Sequence, residues 1–222
     1  MLYMENCVIF GANSDLAKDF IEKNLDNFNF FLFCREPNES YYFNSQYKNI
    51  KFFKGSVSSV LDLNLFLEKH FKKSKIDILI NYFGIMYVES FYKNFKHNAE
   101  IIDINIKGLM NVLHTTYKHT SDTCSFITIS SINSKIAPAY SVSYSASKSF
   151  IDTLVKGLYN ESLFLNKKQR FLNIVPGPIE TKFTNNSFTP SNFKLLSPRD
   201  ITNSINYFLN INSAFVELCL QP

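Results

Sequence analysis

Short apolar runs alternate along the chain with longer amphipathic stretches. The runs have the length and the β-branched and aromatic content of buried strands, and the stretches between them repeat apolar residues at helical spacing. This alternation indicates βαβ units and a parallel sheet covered on both faces. The predicted strands are Asn6–Phe10, Phe30–Cys34, Lys51–Phe53, Ile76–Asn81, Ser125–Ser130, Phe171–Val175 and Ala214–Leu218. The predicted helices are Asp15–Asn24, Val60–Phe71, Asn98–His119, Ser143–Leu165 and Pro198–Leu209.

This order predicts an α/β fold, a doubly wound Rossmann-type parallel sheet of about seven strands with helices on both faces. The length of 222 residues suits one domain, so we expect residues 1–222 to form a single unit. The segment Thr184–Ser197 is polar, contains Pro190 and lacks a clear period, which predicts a short loop or lid. Ligands of such folds bind beyond the carboxyl ends of the strands.

Composition and charge exclude several classes of protein. The net charge is +4 without a dense basic stripe, which disfavours a nucleic-acid partner. The four cysteines lie far apart, so neither a zinc site nor a disulfide framework is expected, and no metal is predicted. No signal-peptide pattern and no run near ~18 apolar residues is present. We therefore expect a cytoplasmic protein without a membrane partner.

A tight turn follows the first predicted strand, from Gly11 to Asp15. Such a turn directs backbone N–H groups and a helix N-terminus to one spot, which suits a pyrophosphate. A plain strand–helix turn with Asp15 as the N-cap fits this segment equally well. Arg35 follows the second strand about 20 residues later, where an arginine accommodates the 2′-phosphate of NADP. NADP(H) is therefore favoured over NAD(H); the alternative is that Arg35 is a solvated loop residue beside Glu36.

The pair Tyr144 and Lys148 carries the strongest chemical signal. Residues four apart on a helix share a face, so the phenol and the ammonium point the same way. A nearby cation lowers a tyrosine pKa from ~10, which lets the phenol exchange a proton with a carbonyl or an alcohol. Ser131 lies thirteen residues before Tyr144, next to the end of a predicted strand, where its hydroxyl can bond the reacting oxygen.

Further residues stand at the ends of the other predicted strands. Asn81 and Gly84 end the fourth strand, Asn105 lies in the next helix, and residues 176–181 follow the sixth strand. In this order and at these spacings, the chain resembles the short-chain dehydrogenase/reductase family of the single-domain type over nearly its whole length. By this resemblance, residues 1–222 would form one dinucleotide-binding and catalytic domain, with residues 182–198 as its substrate lid.

The resemblance implies roles for individual residues. Tyr144 would be the general acid/base, Ser131 would orient the substrate oxygen, Lys148 would bind the nicotinamide ribose and lower the Tyr144 pKa, and Asn105 would hold a proton-relaying water. The expected catalytic residues are thus Asn105, Ser131, Tyr144 and Lys148. The expected cofactor-binding residues are Gly11, Asn13, Ser14, Leu16, Arg35, Ser56, Val57, Asn81, Gly84, Tyr144, Lys148, Pro176, Gly177, Ile179 and Thr181.

The glycine turn departs from the family pattern T-G-x-x-x-G-x-G. Phe10 replaces the threonine, and Asp15 and Ala17 replace the second and third glycines. Ala17 should be tolerated where glycine only allows close helix–strand packing. A carboxylate at Asp15 should repel a pyrophosphate unless its side chain turns away to cap the helix.

These features predict an NADP(H)-preferring oxidoreductase that reduces a carbonyl, or oxidises an alcohol, of a small molecule. Two alternatives stay open: epimerase or dehydratase chemistry on a nucleotide-linked sugar, and a catalytically silent NAD(P)-binding sensor. The resemblance also implies a homodimer or homotetramer formed through the two longest helices.

Overall fold

A computed structural model describes residues 4–36, 48–185 and 194–222. Seven strands form one sheet in the order β3-β2-β1-β4-β5-β6-β7, and every pair is parallel. The predicted doubly wound α/β fold is therefore confirmed. The strands are β1 Glu5–Phe10, β2 Phe28–Cys34, β3 Ile50–Lys54, β4 Ile76–Asn81, β5 Thr120–Ile129, β6 Arg170–Pro176 and β7 Phe215–Leu220.

Helices connect the strands on both sides of the sheet. They are α1 Asp15–Lys23, α2 Val60–His70, α3 Phe95–Ile101, a π-helix Ile102–Gly108, α4 Leu109–Thr116, a 3₁₀ turn Tyr117–His119, α5 Asn133–Ile136, α6 Val142–Phe164, α7 Lys182–Asn185 and α8 Pro198–Asn210. In the part of the chain that the structure describes, no helix combines the length and the apolar character needed to cross a bilayer.

The core lies on both faces of the sheet because strand side chains alternate. In β1, Cys7 and Ile9 pack into one apolar cluster while Val8 and Phe10 pack into the other, and all four are fully buried. A strand buried on both faces reads as a continuous apolar run, which is why these strands could be found in the sequence.

Two predicted elements differ from the structure by more than two residues at one end, whereas the others agree to within two residues. The predicted helix Asn98–His119 begins at Phe95 and passes through a π-helix before it ends in a 3₁₀ turn. Strand β5 begins at Thr120, five residues before the predicted start, and ends at Ile129, so Ser130 and Ser131 follow the strand. The polar residues at the start of β5 conceal it in the sequence.

The order in which the strands are added to the sheet reverses at β1, which pairs with β2 on one side and with β4 on the other. The connections after these strands leave in opposite directions and open a crevice at their carboxyl ends. Of the predicted lid, residues 182–198, the structure gives α7 and a bridge between Ile179 and Leu196, whereas residues 186–193 lie outside the described residues.

Candidate active site

A cleft of about 1300 Å³ opens at this switch point. It lies between the turn after β1, the loop after β4, the start of α6 and the turn after β6. The predicted site residues that line it are Gly11, Asn13, Ser14, Leu16, Arg35, Ser56, Val57, Gly84, Ser131, Tyr144, Lys148, Pro176, Gly177, Ile179 and Thr181.

Asn81 and Asn105 lie behind the cleft wall. Together with Thr128 they border a separate cavity of about 10 Å³. Asn81 lies beside Phe10 of β1 and Thr128 of β5 in the sheet. It is buried there, with 4% of its surface exposed. The nitrogen and the oxygen of its side-chain amide have no hydrogen-bond partner within the described part of the chain. The structure therefore does not bring Asn81 to the cleft surface, where a cofactor-binding residue was expected.

The turn after β1 requires glycine at its first position. Gly11 has φ +81°, and a Cβ there would lie 2.5 Å from the backbone nitrogen of Phe83. Its N–H donates to the carbonyl of Phe33 at 3.0 Å. The turn is therefore held tightly between β2 and the loop after β4, and it brings the first turn of α1 to the cleft.

Ser14, not Asp15, is the N-cap of α1. The Ser14 Oγ accepts a hydrogen bond from the Ala17 N–H at 3.1 Å, which corrects the interpretation of Asp15 as the cap. The Asp15 carboxylate instead accepts from the backbone N–H of Lys182 at 2.8 Å. The carboxylate therefore turns toward the segment after β6, although not to cap the helix.

Phe10, which replaces the threonine of the family pattern, faces the core and not the cleft. Phe10 is fully buried, with its ring 5.2 Å from that of Phe33 and 6.0 Å from that of Phe66. The side chain packs between β2 and α2. The replacement of threonine by phenylalanine thus enlarges an aromatic cluster without entering the cleft.

Arg35 follows directly after β2, is exposed, and lines the cleft. Beside it, the Asn13 side-chain amide donates to the carbonyl of Glu36, which ties the glycine turn to the end of β2. After β3, the Ser56 N–H donates to the Asp62 carboxylate at 2.9 Å. The adjoining strand ends β1, β2 and β3 thus form one continuous wall of the cleft.

Helix α6 places Tyr144 and Lys148 one turn apart on the opposite wall, and both side chains are buried. The Lys148 ammonium donates to the carbonyl of Ile129 at 2.8 Å and lies 5.6 Å from the centre of the Tyr144 ring. Ser131 hydrogen-bonds the phenol. The predicted trio of Ser131, Tyr144 and Lys148 is therefore assembled at one point.

Burial dominates the ionisation of Tyr144 and Lys148. It raises the pKa of Tyr144 to about 12, against the opposing effect of the Ser131 hydrogen bond. Burial also lowers the pKa of Lys148 to about 8, against the attraction of Asp152. The expected lowering of the Tyr144 pKa by Lys148 is therefore not what the structure shows: desolvation of the phenol raises the pKa, and the cause that opposes it is the Ser131 hydrogen bond. At neutral pH, Tyr144 is a protonated phenol.

Asn105 lies in the π-helix and is 2% exposed. Its side chain accepts from the Ile85 N–H at 2.8 Å and donates to the Ile85 carbonyl at 2.9 Å and to the Ser147 hydroxyl at 3.0 Å. Gly84 lies beside both Asn105 and Lys148: a Cβ there would lie 3.4 Å from the Asn105 Oδ1 and 3.7 Å from the Lys148 Nζ. π-helical turns occur frequently at functional sites.

Sequence reasoning missed two residues of this site. Ser147 joins Asn105 to α6, and Asp152 acts on the charge of Lys148. Asp152 lies four residues after Lys148, and this helical spacing could have identified it. The Phe183 ring also lies at the site, 6.2 Å from that of Tyr144, and this approach depends on the path of the chain after β6.

Comparison with known proteins gives a family match. The family model described as short chain dehydrogenase matches residues 7–192. An uncharacterised oxidoreductase of Staphylococcus aureus strain MW2 is 30% identical over 138 residues, which are 60% of this chain and 58% of that protein. One from Staphylococcus saprophyticus is 29% identical over 141 residues, 62% of this chain and 59% of that protein. The matched region thus spans less than two thirds of these curated relatives.

Solved structures share the fold at low sequence identity. A tyrosine-to-phenylalanine variant of ElxO with NADPH bound has a TM-score of 0.85 and 22% identity, over 98% of this chain and 97% of its own. An alcohol dehydrogenase from the archaeon Thermococcus sibiricus, complexed with 5-hydroxy-NADP, has a TM-score of 0.86 and 18% identity, over 99% and 97%. Serine dehydrogenase from Escherichia coli has a TM-score of 0.84 and 17% identity, over 97% of each chain.

Proposed function

The chain belongs to the short chain dehydrogenase family, a family of NAD(P)-dependent oxidoreductases, and from that premise we propose that it is an NADP(H)-preferring reductase of a small-molecule carbonyl, or a dehydrogenase of the corresponding alcohol. One observation carries the proposal. The trio Ser131, Tyr144 and Lys148 stands in the same cleft as the Gly11 turn and Arg35, so proton donor and nucleotide site share one space.

The chain's own residues fit a dinucleotide. The first turn of α1 presents N–H groups to the cleft, as a pyrophosphate requires, and the contact of Asp15 with Lys182 gives its carboxylate a partner of its own. The exposed guanidinium of Arg35 suits a 2′-phosphate. Two of the similar structures named above carry NADPH and 5-hydroxy-NADP, which supports the same preference. When bound, the cofactor supplies or accepts the hydride.

In the reductive direction, Tyr144 is the proton donor. The Ser131 and Tyr144 hydroxyls can both bond a carbonyl oxygen, which fixes the carbonyl carbon for hydride addition. As the hydride adds to carbon, the phenol gives its proton to oxygen, and the alcohol forms. The raised pKa of Tyr144 keeps that proton in place at neutral pH and so supports this direction.

Lys148 and Asn105 restore the proton. The ammonium, held by the Ile129 carbonyl, stabilises the phenolate that proton transfer leaves. With its pKa lowered to about 8, Lys148 exchanges protons with its surroundings near neutral pH. Asn105, held by Ile85 and Ser147, is placed behind it to orient a relaying water.

Several sequence-based predictions belong with this proposal. We propose that residues 1–222 act as one catalytic domain, that residues 182–198 form the substrate lid, and that the chain assembles as a homodimer or homotetramer. The cytoplasmic location and the exclusion of nucleic acid as a partner stay predictions.

Replacement of the phenol by Phe tests the chemistry. Purified protein is mixed with NADPH and a panel of aldehydes, ketones, sugars and keto acids, and the loss of NADPH absorbance is followed. For any active substrate, Tyr144→Phe should lower kcat at least about a hundredfold, the usual contribution of a general acid. Tyr207→Phe, on the exposed face of α8, is the matched control.

The other outcomes separate the alternatives. Tyr144→Phe with intact turnover contradicts the proposal. Product formation without net change in NADPH would indicate the epimerase or dehydratase alternative. NADPH binding without turnover on any substrate would favour the sensor.

A further inference from the structure

We propose that Asp15 is a positioning residue that holds the segment after β6 over the tyrosine of the site. The proposal deepens the proposed function, because it assigns a role to the side chain that stands where the family pattern has its second glycine. It concerns the described residues of α1, α7 and α6 and rests on the contacts between them.

The first contact is between Asp15 and Lys182. The Asp15 carboxylate accepts the Lys182 N–H at 2.8 Å, a bond between residues 167 positions apart. Ser14 already caps α1, so the carboxylate is not needed to satisfy the helix N-terminus. Its acceptor capacity is thus directed outward, to the backbone at the start of α7.

The second contact, between Phe183 and Tyr144, links the start of α7 to the site. The next residue, Phe183, has its ring 6.2 Å from that of Tyr144 at an interplanar angle of 45°. Asp15, Lys182, Phe183 and Tyr144 all line the cleft. One path of contacts therefore runs from the nucleotide turn, through a single backbone hydrogen bond, to an aromatic ring beside the proton donor.

The base of this segment is anchored independently. Leu196 donates to the Pro178 carbonyl at 2.9 Å, and Glu180 donates to the Leu196 carbonyl at 2.8 Å. These bonds lie before α7 and fix residues 178–180 to Leu196. The Asp15 bond instead ties α7 itself to α1, so its loss should loosen α7 without releasing the turn after β6.

Substitutions of Asp15 can separate the effect of its hydrogen-bond acceptor from the effect of its negative charge. Asparagine keeps an oxygen that can accept the Lys182 N–H but removes the charge, whereas alanine removes both. Because the carboxylate also stands beside the pyrophosphate turn, its charge should weaken cofactor binding. We therefore expect both variants to bind NADPH more tightly, and only the alanine variant to lose the position of α7.

Limited trypsin digestion tests the position of α7 without cofactor or substrate. Lys182 is exposed, and cleavage after it reports local opening of α7. Asp15→Ala should accelerate cleavage between Lys182 and Phe183 about threefold to tenfold, the equivalent of one net hydrogen bond. Asp15→Asn should stay near the wild-type rate. Peptide products are assigned by mass spectrometry, and melting temperatures confirm that each variant folds.

Asp19→Asn is the matched control. Asp19 lies one turn further along α1 and pairs with Arg199 of α8 at 2.8 Å, so its loss weakens the packing of α1 without touching α7. Cleavage after Lys182 in this variant should match the wild type. Equal cleavage of Asp15→Ala and wild type, or equally fast cleavage of Asp15→Asn and Asp15→Ala, would overturn the proposal.

Steady-state kinetics give the second readout. In Asp15→Ala the KM for the carbonyl substrate should rise and kcat should fall, while Asp15→Asn should restore both. If the wild type shows no turnover, the proposed function fails, and the digestion still decides the role of Asp15. If turnover is present and Asp15→Ala leaves both constants unchanged, Asp15 does not position the site.

Discussion

At the scale of single residues, the site concentrates groups that burial disfavours. Lys148 is 5% exposed, and its ammonium bonds the Ile129 carbonyl, with Asp152 as the charge that supports it. Burial of a cation is costly unless it is fully compensated, and the lowered pKa measures the part that is not. Lys148 should therefore serve function at the expense of stability, as active-site groups commonly do.

Lys148→Met should stabilise the fold at neutral pH. The pKa of Lys148 is 10.5 in its ordinary state and about 8 in the folded protein. Below pH 8 both states hold the proton, and the folded state bears the full cost of the buried charge. Between these values the unfolded state binds more protons, so wild-type stability rises with pH. The free energy of unfolding of the variant should exceed that of the wild type by about 1 to 3 kcal/mol at neutral pH. This difference should shrink as the pH approaches the pKa of free lysine.

Denaturant unfolding at neutral and alkaline pH measures this difference. Lys156→Met, at an exposed position of the same helix, is the control and should change stability little. A Lys148→Met variant that is less stable than wild type at neutral pH, or whose advantage does not depend on pH, would show that the charge is compensated.

At the scale of elements, the sequence predicts the helices and strands that have a regular apolar pattern and misses the features that lack one. The buried strands are continuous apolar runs, and their existence and order are confirmed. The start of β5 is hidden because Ser121, Asp122 and Thr123 are polar. The π-helix is hidden because one wider turn leaves the apolar spacing nearly unchanged, although it carries Asn105.

The turn after β1 depends on one glycine, and substitution tests it. Gly11→Ala should lower the free energy of unfolding by about 2 kcal/mol or more, because the residue has φ +81° and its Cβ would overlap the Phe83 backbone. It should also weaken nucleotide binding, because the turn presents the N-terminus of α1.

Gly157→Ala is the control for this substitution. Gly157 lies inside α6, with nothing within 4 Å of its Cβ position, so alanine should stabilise by about 0.5 to 1 kcal/mol through helix propensity. Thermal and denaturant unfolding of both variants, with a nucleotide titration, gives the comparison. If Gly11→Ala unfolds and binds like the wild type, the turn does not require glycine.

At the scale of the whole molecule, the fold explains why the site was predictable in part. Parallel strands bring their carboxyl ends to one edge, so residues at those ends meet whatever their distance in sequence. Ser131 was found for this reason, whereas Tyr144 and Lys148 were found by their spacing on one face of a helix. The bond from Asp15 to Lys182 and the effect of burial on Tyr144 depend on how separate segments pack, and no local pattern encodes them.

The proposed preference for NADP(H) is tested most directly by a titration of the purified protein with NADPH and with NADH, followed by nicotinamide fluorescence. We predict that NADPH binds at least about tenfold more tightly than NADH, the effect of about one charge-assisted contact. Arg35→Ala should abolish that difference by weakening NADPH alone, whereas Lys23→Ala, an exposed cation at the end of α1, should leave it unchanged. If neither nucleotide binds, or if both bind equally to the wild type, the chain is not the NADP(H)-preferring enzyme that we propose.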